Sequence, residues 1–180
     1  MADVPAKFLT RSPKGLGRAP DRHYKTMTRE ELIALPVIDL AAKDCFLFFW
    51  TSGTQLKNAI AVIEAWEFTY SSTAFVWVKT NPRNSRLFYD ARSFHKGLGY
   101  TTRKNVELCL LGTRGRPKRQ SKNVEELIIA PRREHSRKPD EIYERIETFA
   151  KGPYAELFSR TDRQGWHSAG DERGKFGEAA

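Results

Sequence analysis

The sequence predicts an α/β protein in which buried strands alternate with amphipathic helices. Apolar runs at residues 45–50, 74–78 and 106–112 are bounded by polar segments, as is typical of strands that are buried on both faces. Apolar residues at helical spacing follow the first run at residues 56–66 and return at residues 142–150. Because the connections are short, the strands and helices are expected to form a doubly wound sheet.

Composition indicates one soluble domain at residues 1–171, followed by a frayed tail at residues 172–180. The chain has 180 residues, of which 39% are hydrophobic and 29% are charged. It contains no apolar run long enough to span a membrane and no signal-peptide pattern, so a cytoplasmic protein without membrane association is expected. Cys45 and Cys109 lie in apolar runs and are expected to be buried thiols. No Cys/His cluster has metal-ligand spacing, so no metal is expected.

The positive charge is concentrated in the middle of the chain. Residues 80–138 contain 15 Lys/Arg and 5 Asp/Glu, which more than accounts for the net charge of +9. This clustering favours a polyanionic partner, and nucleic acid bound through its phosphates fits best. The alternative is a solvated surface that serves solubility alone.

Local signals predict where several elements begin and end. Thr28 and Glu31 form a capping box before a short helix that Pro36 ends. Thr54 can open the next helix. Glu107 lies inside a buried strand and therefore needs a partner or the edge of a site. Residues 127–130 form a further strand or the entry to a loop.

The last third of the chain combines a basic loop, a helix and a short strand. Pro139 suits the first helical position, and Asp140 and Glu141 suit the positive end of the helix dipole. Gly152-Pro153 stops the helix. Glu156 and Arg160 then flank an apolar pair at the end of a strand, where α/β proteins bind ligands.

These segments resemble the MT-A70-like adenine methyltransferases of bacteria and phages. The matching runs are Ser136-Arg137-Lys138-Pro139-Asp140-Glu141-Ile142-Tyr143, Glu156-Leu157-Phe158-Ser159-Arg160, residues 46–50 and residues 77–81. The resemblance covers nearly the whole chain. It implies a Rossmann-like methyltransferase fold in permuted order, with the catalytic motif first and the cofactor strand last, and S-adenosylmethionine as cofactor.

The resemblance also implies roles for individual residues. Lys138 would contact the cofactor, although a solvated lysine at a helix start is the alternative. Glu156, Phe158 and Arg160 match the cofactor-side strand, with an ion pair as the alternative for the two charged residues. Asp171, in Gly170-Asp171-Glu172, stands where the family has an asparagine that contacts ribose.

The motif Asp3-Val4-Pro5-Ala6 stands where the family has Asp-Pro-Pro-Trp. In the implied mechanism, the Asp3 carboxylate and the Val4 carbonyl accept the two hydrogens of the adenine N6 amine. Pro5 completes the catalytic motif, and Asp3 would also line the cofactor site. The family tryptophan would stack on the extruded base, which Ala6 cannot do. Stacking of this kind is worth about 1–3 kcal/mol per base.

In the family a central strand precedes the motif, whereas two residues precede Asp3 here. We therefore expect Leu157 and Phe158 to lack strand partners. A truncated or decayed member, or a start site set too late, would explain this difference.

Basic and aromatic residues alternate between residues 82 and 104, as on surfaces that bind phosphates and stack bases. For each aromatic residue, packing into the core is an equal alternative. The predicted nucleic-acid contacts are Lys79, Arg83, Arg86, Arg114, Arg116, Lys118, Arg119, Arg132 and Arg133.

Two functions follow from the resemblance. The first is an S-adenosylmethionine-dependent N6-adenine methyltransferase that acts on nucleic acid, with DNA favoured over RNA. The second is a catalytically inactive nucleic-acid-binding homologue or partner subunit of the same fold. A homodimer and a heterodimer both remain open as the assembly.

Overall fold

A computed structural model describes residues 1–7, 25–82, 88–99, 101–134 and 136–177, and confirms the α/β class. Three α-helices and six strands lie in these residues. In chain order they are α1 (Arg29–Ile33), β1 (Cys45–Thr51), α2 (Leu56–Ala65), β2 (Thr69–Thr80), β3 (Val106–Arg114), β4 (Leu127–Pro131), α3 (Glu141–Phe149), β5 (Tyr154–Leu157) and β6 (Trp166–Ala169). Short 3₁₀ helices at Val37–Leu40 and Gly53–Gln55 precede β1 and α2.

The helix starts follow the sequence signals with small shifts. Thr28 caps α1 through the predicted capping box, because the Glu31 amide donates to Thr28 Oγ1 and the Thr28 amide donates to a Glu31 carboxylate oxygen. The helix α3 begins at Glu141 with Asp140 as its N-cap, so Pro139 lies before the helix instead of at its first position. At the other end, α3 stops at Phe149, before Gly152-Pro153.

The strands form a mixed sheet in the order β1-β3-β2-β4 and a two-stranded parallel sheet of β5 and β6. The strand β3 is antiparallel to both of its neighbours, so β1 and β2 run in the same direction. At the edge, β4 pairs parallel to β2. The central sheet of the predicted doubly wound fold is therefore present, with one reversed strand.

The first residues of the chain join the two sheets. Ala2 forms parallel bridges to Phe49 of β1 and to Leu157 of β5. The Ala2 amide donates to Phe48 O at 2.8 Å, and the Leu157 amide donates to Met1 O at 2.9 Å. The expectation that Leu157 lacks a strand partner is therefore wrong, because the residues just before Asp3 occupy that central position.

Both faces of the sheet carry a hydrophobic core, as the continuous apolar strands predict. On one face, Phe49 and Leu110 pack with Ile63 and Trp66 from α2 and its C-cap. The other core includes side chains from β1, β2, β3, β4 and α3: Phe48, Trp50, Phe75, Trp77, Cys109, Ile128, Ile142 and Ile146. In this core Cys109 is fully buried, as expected, whereas Cys45 is half-buried.

Residues 172–177 contact the body of the protein through Arg173 and Phe176. The Phe176 amide donates to Arg160 O at 3.1 Å, and Arg173 forms an ion pair with Asp162. The domain boundary after residue 171 and the frayed tail both stay predictions. Within the described residues, no helix combines the length and the apolar character that a membrane span needs.

Candidate active site

A cavity opens at the edge of the sheet where β1, β5 and the residues before Asp3 end. Its volume is ≈ 980 Å³ when the solvent-open mouth is included. Because these strands run parallel, their carboxyl ends meet at one edge, which is the usual place for a ligand in an α/β fold. The cavity is lined by Asp3, Val4, Pro5, Ala6, Lys25, Trp50, Thr51, Ser52, Gln55, Glu107, Ser136, Lys138, Phe158, Arg160, Asp171 and Glu172.

The Asp3 carboxylate lies between two cations at the floor of this cavity. Lys138 Nζ donates to Asp3 Oδ1 at 2.6 Å, and Arg160 Nη2 lies 3.7 Å from Asp3 Oδ2. The side chains of all three residues are largely buried, with 11% of Lys138, 13% of Arg160 and 19% of Asp3 exposed. Water therefore screens these interactions weakly.

Glu107 extends the charge network on the other side of Lys138. Its Oε2 lies 3.4 Å from Lys138 Nζ, and its Oε1 accepts a hydrogen bond from Lys79. Burial by itself would raise the pKa of Glu107, but the ammonium groups of Lys138 and Lys79 outweigh burial and lower this pKa. Glu107 therefore has the partners that a carboxylate within a buried strand requires.

The ammonium group of Lys138 binds three acceptors within the protein. Besides Asp3 and Glu107, it donates to Ser136 O at 3.1 Å. Burial would lower the pKa of Lys138, but Asp3 and Glu107 outweigh burial and raise it above the ordinary value. The alternative of a solvated lysine at the helix start is excluded by this burial.

Unusual backbone conformations shape the wall of the cavity. Ser136 and Phe158 adopt positive φ angles, both of 61°, which are strained for residues with a side chain. Opposite them, Gly170 lies so close to the chain that a Cβ atom there would be 2.5 Å from Ser159 O. This close approach brings Asp171 and Glu172 to the cavity.

The motif at the start of the chain is held by backbone hydrogen bonds. The Ala6 amide donates to Val4 O at 2.8 Å, and the Met27 amide donates to Pro5 O at 2.8 Å. The Val4 carbonyl keeps a second lone pair for another donor. Ala6 presents a methyl group to the cavity and no ring.

Of the six predicted cofactor contacts, Glu156 is the one that does not line the cavity. It is 6% exposed, and its Oε2 accepts hydrogen bonds from Tyr143 Oη at 2.9 Å and from Ser159 Oγ at 3.1 Å. Burial raises the pKa of Glu156, against the effect of the hydrogen bond from Tyr143. Glu156 therefore links β5 to Tyr143 of α3 and to Ser159 in the interior of the protein.

Those predicted nucleic-acid contacts that the structure describes fall at two ends of the molecule. Lys79 ends near the cavity, bound to Glu107, and the Arg132 amide donates to Thr80 O at the same end of β2. Arg114 pairs with Cys45 at the opposite end of the sheet, and the Arg116 amide donates to Asp44 nearby. Arg114 and Arg116 therefore lie away from the cavity, and their contact with nucleic acid stays a prediction.

Among the described residues, the other predicted nucleic-acid contacts are Lys118, Arg119 and Arg133. Lys118 and Arg119 precede Gln120, whose amide donates to Phe149 O at the end of α3 that is remote from Lys138. Arg133 pairs with Asp140. Arg83 and Arg86 lie outside the described residues.

Exposed basic and aromatic side chains surround the C-terminal end of β2. Thr80 bridges to Phe94, which stacks on Tyr89 with ring centroids 5.8 Å apart. Tyr89 is 41% exposed and Phe88 is 81% exposed, so these two rings do not tuck into the core. In the described part of this loop, the exposed cations are Arg92, Lys96, Arg103 and Lys104.

Several cavity residues were missed by sequence reasoning. Trp50, Thr51 and Ser52 follow one another at the end of β1, and Gln55 lies just beyond. A buried strand that ends in small polar residues is the signal that could have found them. The sequence offers no comparable signal for Ser136.

Known proteins share much of this sequence. The sequence model of the MT-A70 family matches residues 6–172. The type II methyltransferase M.MunI of Mycoplasma sp is 34% identical over 154 residues, which cover 83% of this chain and 59% of that protein. The N(6)-adenosine-methyltransferase MT-A70-like protein of Arabidopsis thaliana is 31% identical over 83% of this chain and 21% of its own length.

A human relative adds a third comparison. The N(6)-adenosine-methyltransferase catalytic subunit METTL3 of Homo sapiens is 31% identical over 141 residues, which cover 76% of this chain and 23% of that protein. The chain thus spans less than two thirds of the length of each of these relatives.

Proposed function

The chain belongs to the MT-A70 family, and on that premise we propose that it transfers a methyl group from S-adenosylmethionine to the N6 amine of adenine in nucleic acid. We propose DNA in preference to RNA as the substrate. We also propose that the fold has the permuted order, with the catalytic motif first and the cofactor strand last. The observation that carries it is the meeting of Asp3, Lys138 and Phe158 at one cavity, although they are far apart in sequence.

The chemistry of the cavity suits the proposed cofactor. A carboxylate needs a cation, which Lys138 offers, and ribose hydroxyls need acceptors, which Asp171 and Glu172 offer. Phe158 and Trp50 supply apolar surface for an adenine ring. When bound, S-adenosylmethionine would supply an electrophilic methyl group; its sulfur would keep the bonding pair and leave as the thioether S-adenosylhomocysteine, and the amine would release one hydrogen as a proton. Because Lys138 already binds three protein acceptors, a contact with the cofactor carboxylate requires it to exchange one of them.

Asp3 is the residue best placed to act on the adenine amine. That amine is a weak nucleophile because its lone pair is delocalised into the ring. An oxygen of Asp3 and the Val4 carbonyl can each accept one of its hydrogens, which turns the lone pair toward the methyl donor. Lys138 and Arg160 fix the orientation of the Asp3 carboxylate for this task.

The alternative function is that of an inactive nucleic-acid-binding homologue. One observation favours it: Ala6 lines the cavity where an aromatic ring would stack on the base. The loss of stacking, about 1–3 kcal/mol, would weaken capture of the base without removing the acceptors for its amine. Substituting Ala6→Trp is therefore expected to raise methyl transfer if base capture limits the reaction.

The test combines calorimetric titration with S-adenosylmethionine and a labelled-methyl assay on DNA and RNA. We expect Asp3→Asn to abolish transfer while the cofactor still binds. The amide has one acceptor oxygen, whereas the carboxylate has two and can accept from Lys138 and from the adenine amine at once. Asp39→Asn on the exposed surface is the matched control and should leave transfer unchanged. Binding of the cofactor without transfer, even in the Ala6→Trp variant, would support the inactive homologue. Full activity of Asp3→Asn would refute the assigned role.

A further inference from the structure

Among the described residues, β4 is the last strand of the mixed sheet, and no strand pairs with its outer edge. The Val76 amide donates to Glu126 O and the Arg132 amide donates to Thr80 O, so the even-numbered residues of this segment turn their backbone groups toward β2. Backbone groups alternate in direction along a strand, and therefore Leu127 and Ile129 turn theirs outward. The outward amides of Leu127 and Ile129 therefore take no part in the pairing with β2. Such an edge can accept another strand.

The sheet face beside this edge is apolar and incompletely covered. Leu127 is 50% exposed, Ile129 is 38% exposed and Val106 is 36% exposed. Half-buried valines of β2 continue the face, because Val76 pairs with Leu127 and Val78 pairs with Ile129. An added strand would extend an existing apolar surface.

The charges that flank β4 indicate which strand fits there. The segment reads Glu125-Glu126, then the strand, then Arg132-Arg133. If two copies pair antiparallel with Ile129 opposite Ile129, Glu126 of each copy lies opposite Arg132 of the other, and Glu125 lies opposite Arg133. Glu126 and Arg132 are exposed and form no ion pair within the described residues. Arg133 already pairs with Asp140, so its contribution is smaller.

We propose that a second copy of this chain binds along β4 and joins the two sheets into one, about a two-fold axis at Ile129. The contact is isologous, as symmetric dimers require. In this register the two Ile129 residues exchange a pair of backbone hydrogen bonds, and each Leu127 amide donates to Pro131 O of the other copy. Pro131 has no amide, but its carbonyl is the group that this pairing uses.

The same observations argue against nucleic acid at this edge. Glu125 and Glu126 would repel phosphates, whereas they suit the arginines of a second copy. We therefore assign Arg132 to the dimer and not to the nucleic-acid surface. This proposal is independent of the methyltransferase activity.

Sedimentation equilibrium of the full chain tests the proposal through charge reversal. Glu126→Arg and Arg132→Glu each place like charges opposite each other in two symmetric pairs, and each should weaken dimerisation roughly tenfold or more. The double variant Glu126→Arg/Arg132→Glu restores opposite charges and should recover the dimer. Glu64→Arg, which makes the same charge change on the exposed side of α2, is the matched control and should not change dimerisation.

A cysteine at the two-fold axis tests the register. In this pairing the two Ile129 Cα atoms lie about 5.5 Å apart, within the span of a disulfide. Oxidation of Ile129→Cys should therefore give a covalent dimer. Leu40→Cys is the control, because residue 40 is 68% exposed and far from β4 in the fold. Its oxidation should give no more covalent dimer than the parent chain, which has two free thiols of its own. A chain that stays monomeric at its highest soluble concentration would overturn the proposal. A dimer that both single reversals leave intact would also overturn it.

Discussion

Removal of the Lys138 ammonium is the most informative perturbation of the buried charge network. Lys138 contacts Asp3 at 2.6 Å and Glu107 at 3.4 Å, and its side chain is 11% exposed. Substitution by Met keeps the length and apolar stem of the side chain but leaves two carboxylates near each other. Arg160 and Lys79 remain beside them as partial compensation.

The expected cost follows from the burial of the pair. Breaking a buried ion pair by removing one partner costs about 3–5 kcal/mol, and the compensating cations place Lys138→Met near the lower limit. In a protein of this size, a loss of about 3 kcal/mol lowers Tm by roughly 6–12 °C. Lys151→Met at an exposed position is the matched control, and its Tm should change little.

The pH dependence distinguishes an electrostatic cost from a packing defect. The pKa of Glu107 is lowered in the folded protein, so its ion pairs contribute stability above the ordinary carboxyl pKa of 4.5 and lose it as the pH falls through the lowered value. The difference in Tm between the parent and Lys138→Met should therefore be largest near pH 7 and shrink at acid pH. The assay is thermal unfolding followed by circular dichroism at several pH values.

A second substitution supplies the coupling energy. In the double variant Asp3→Asn/Lys138→Met one of the two unpaired carboxylates is absent, so its loss of stability should be smaller than the sum of the two single losses. A Tm for Lys138→Met equal to that of the parent at pH 7, or a difference that stays constant with pH, would refute the assigned network.

Three further substitutions test single interactions within the fold. In Glu156→Gln the amide oxygen can keep both hydrogen bonds, and the buried charge is lost. Because the pKa of Glu156 is raised in the folded protein, the variant should be as stable as the parent or more stable in urea unfolding at pH 8, and the two stabilities should become equal below about pH 4. A loss of stability at pH 8 would contradict this. Trp77→Phe removes a hydrogen bond from Nε1 to Ala130 O, whereas Trp50 Nε1 has no partner among the described residues. Trp77→Phe should therefore lower the free energy of unfolding by about 1 kcal/mol more than Trp50→Phe in the same assay. Equal losses would argue against this hydrogen bond. Thr28→Ala removes the cap of α1 and should cost about 0.5–2 kcal/mol of unfolding free energy, with Thr28→Ser as the control that keeps the hydroxyl.

Local patterns were sufficient for most helix and strand assignments. The apolar run at residues 45–50 became β1, one residue longer, because a continuous apolar run of that length suits a strand buried on both sides. The capping box at Thr28 acts through side-chain and backbone groups three residues apart, so the sequence alone contains all its partners. Strand ends were less certain: β2 extends from Thr69 to Thr80, beyond the apolar run, because it pairs with β3 along its length. The strand β6 was not predicted, since four residues of mixed polarity become a strand through pairing with β5.

The candidate site divides in the same way between sequence and structure. Motifs in the sequence were enough to name Asp3, Lys138, Phe158, Arg160 and Asp171, which all line the cavity. Whether these residues bind the cofactor stays a prediction.

The pairing of charges was decided by the tertiary structure alone. Asp3 and Lys138 are 135 positions apart, and nothing in either local sequence specifies that the ammonium binds that carboxylate. The same holds for Ala2, which takes the central place between β1 and β5 although a fuller strand was expected there. Burial and long-range contacts assign partners to charges and strand edges, because the cost of an unpaired buried group depends on neighbours that only the folded chain brings together.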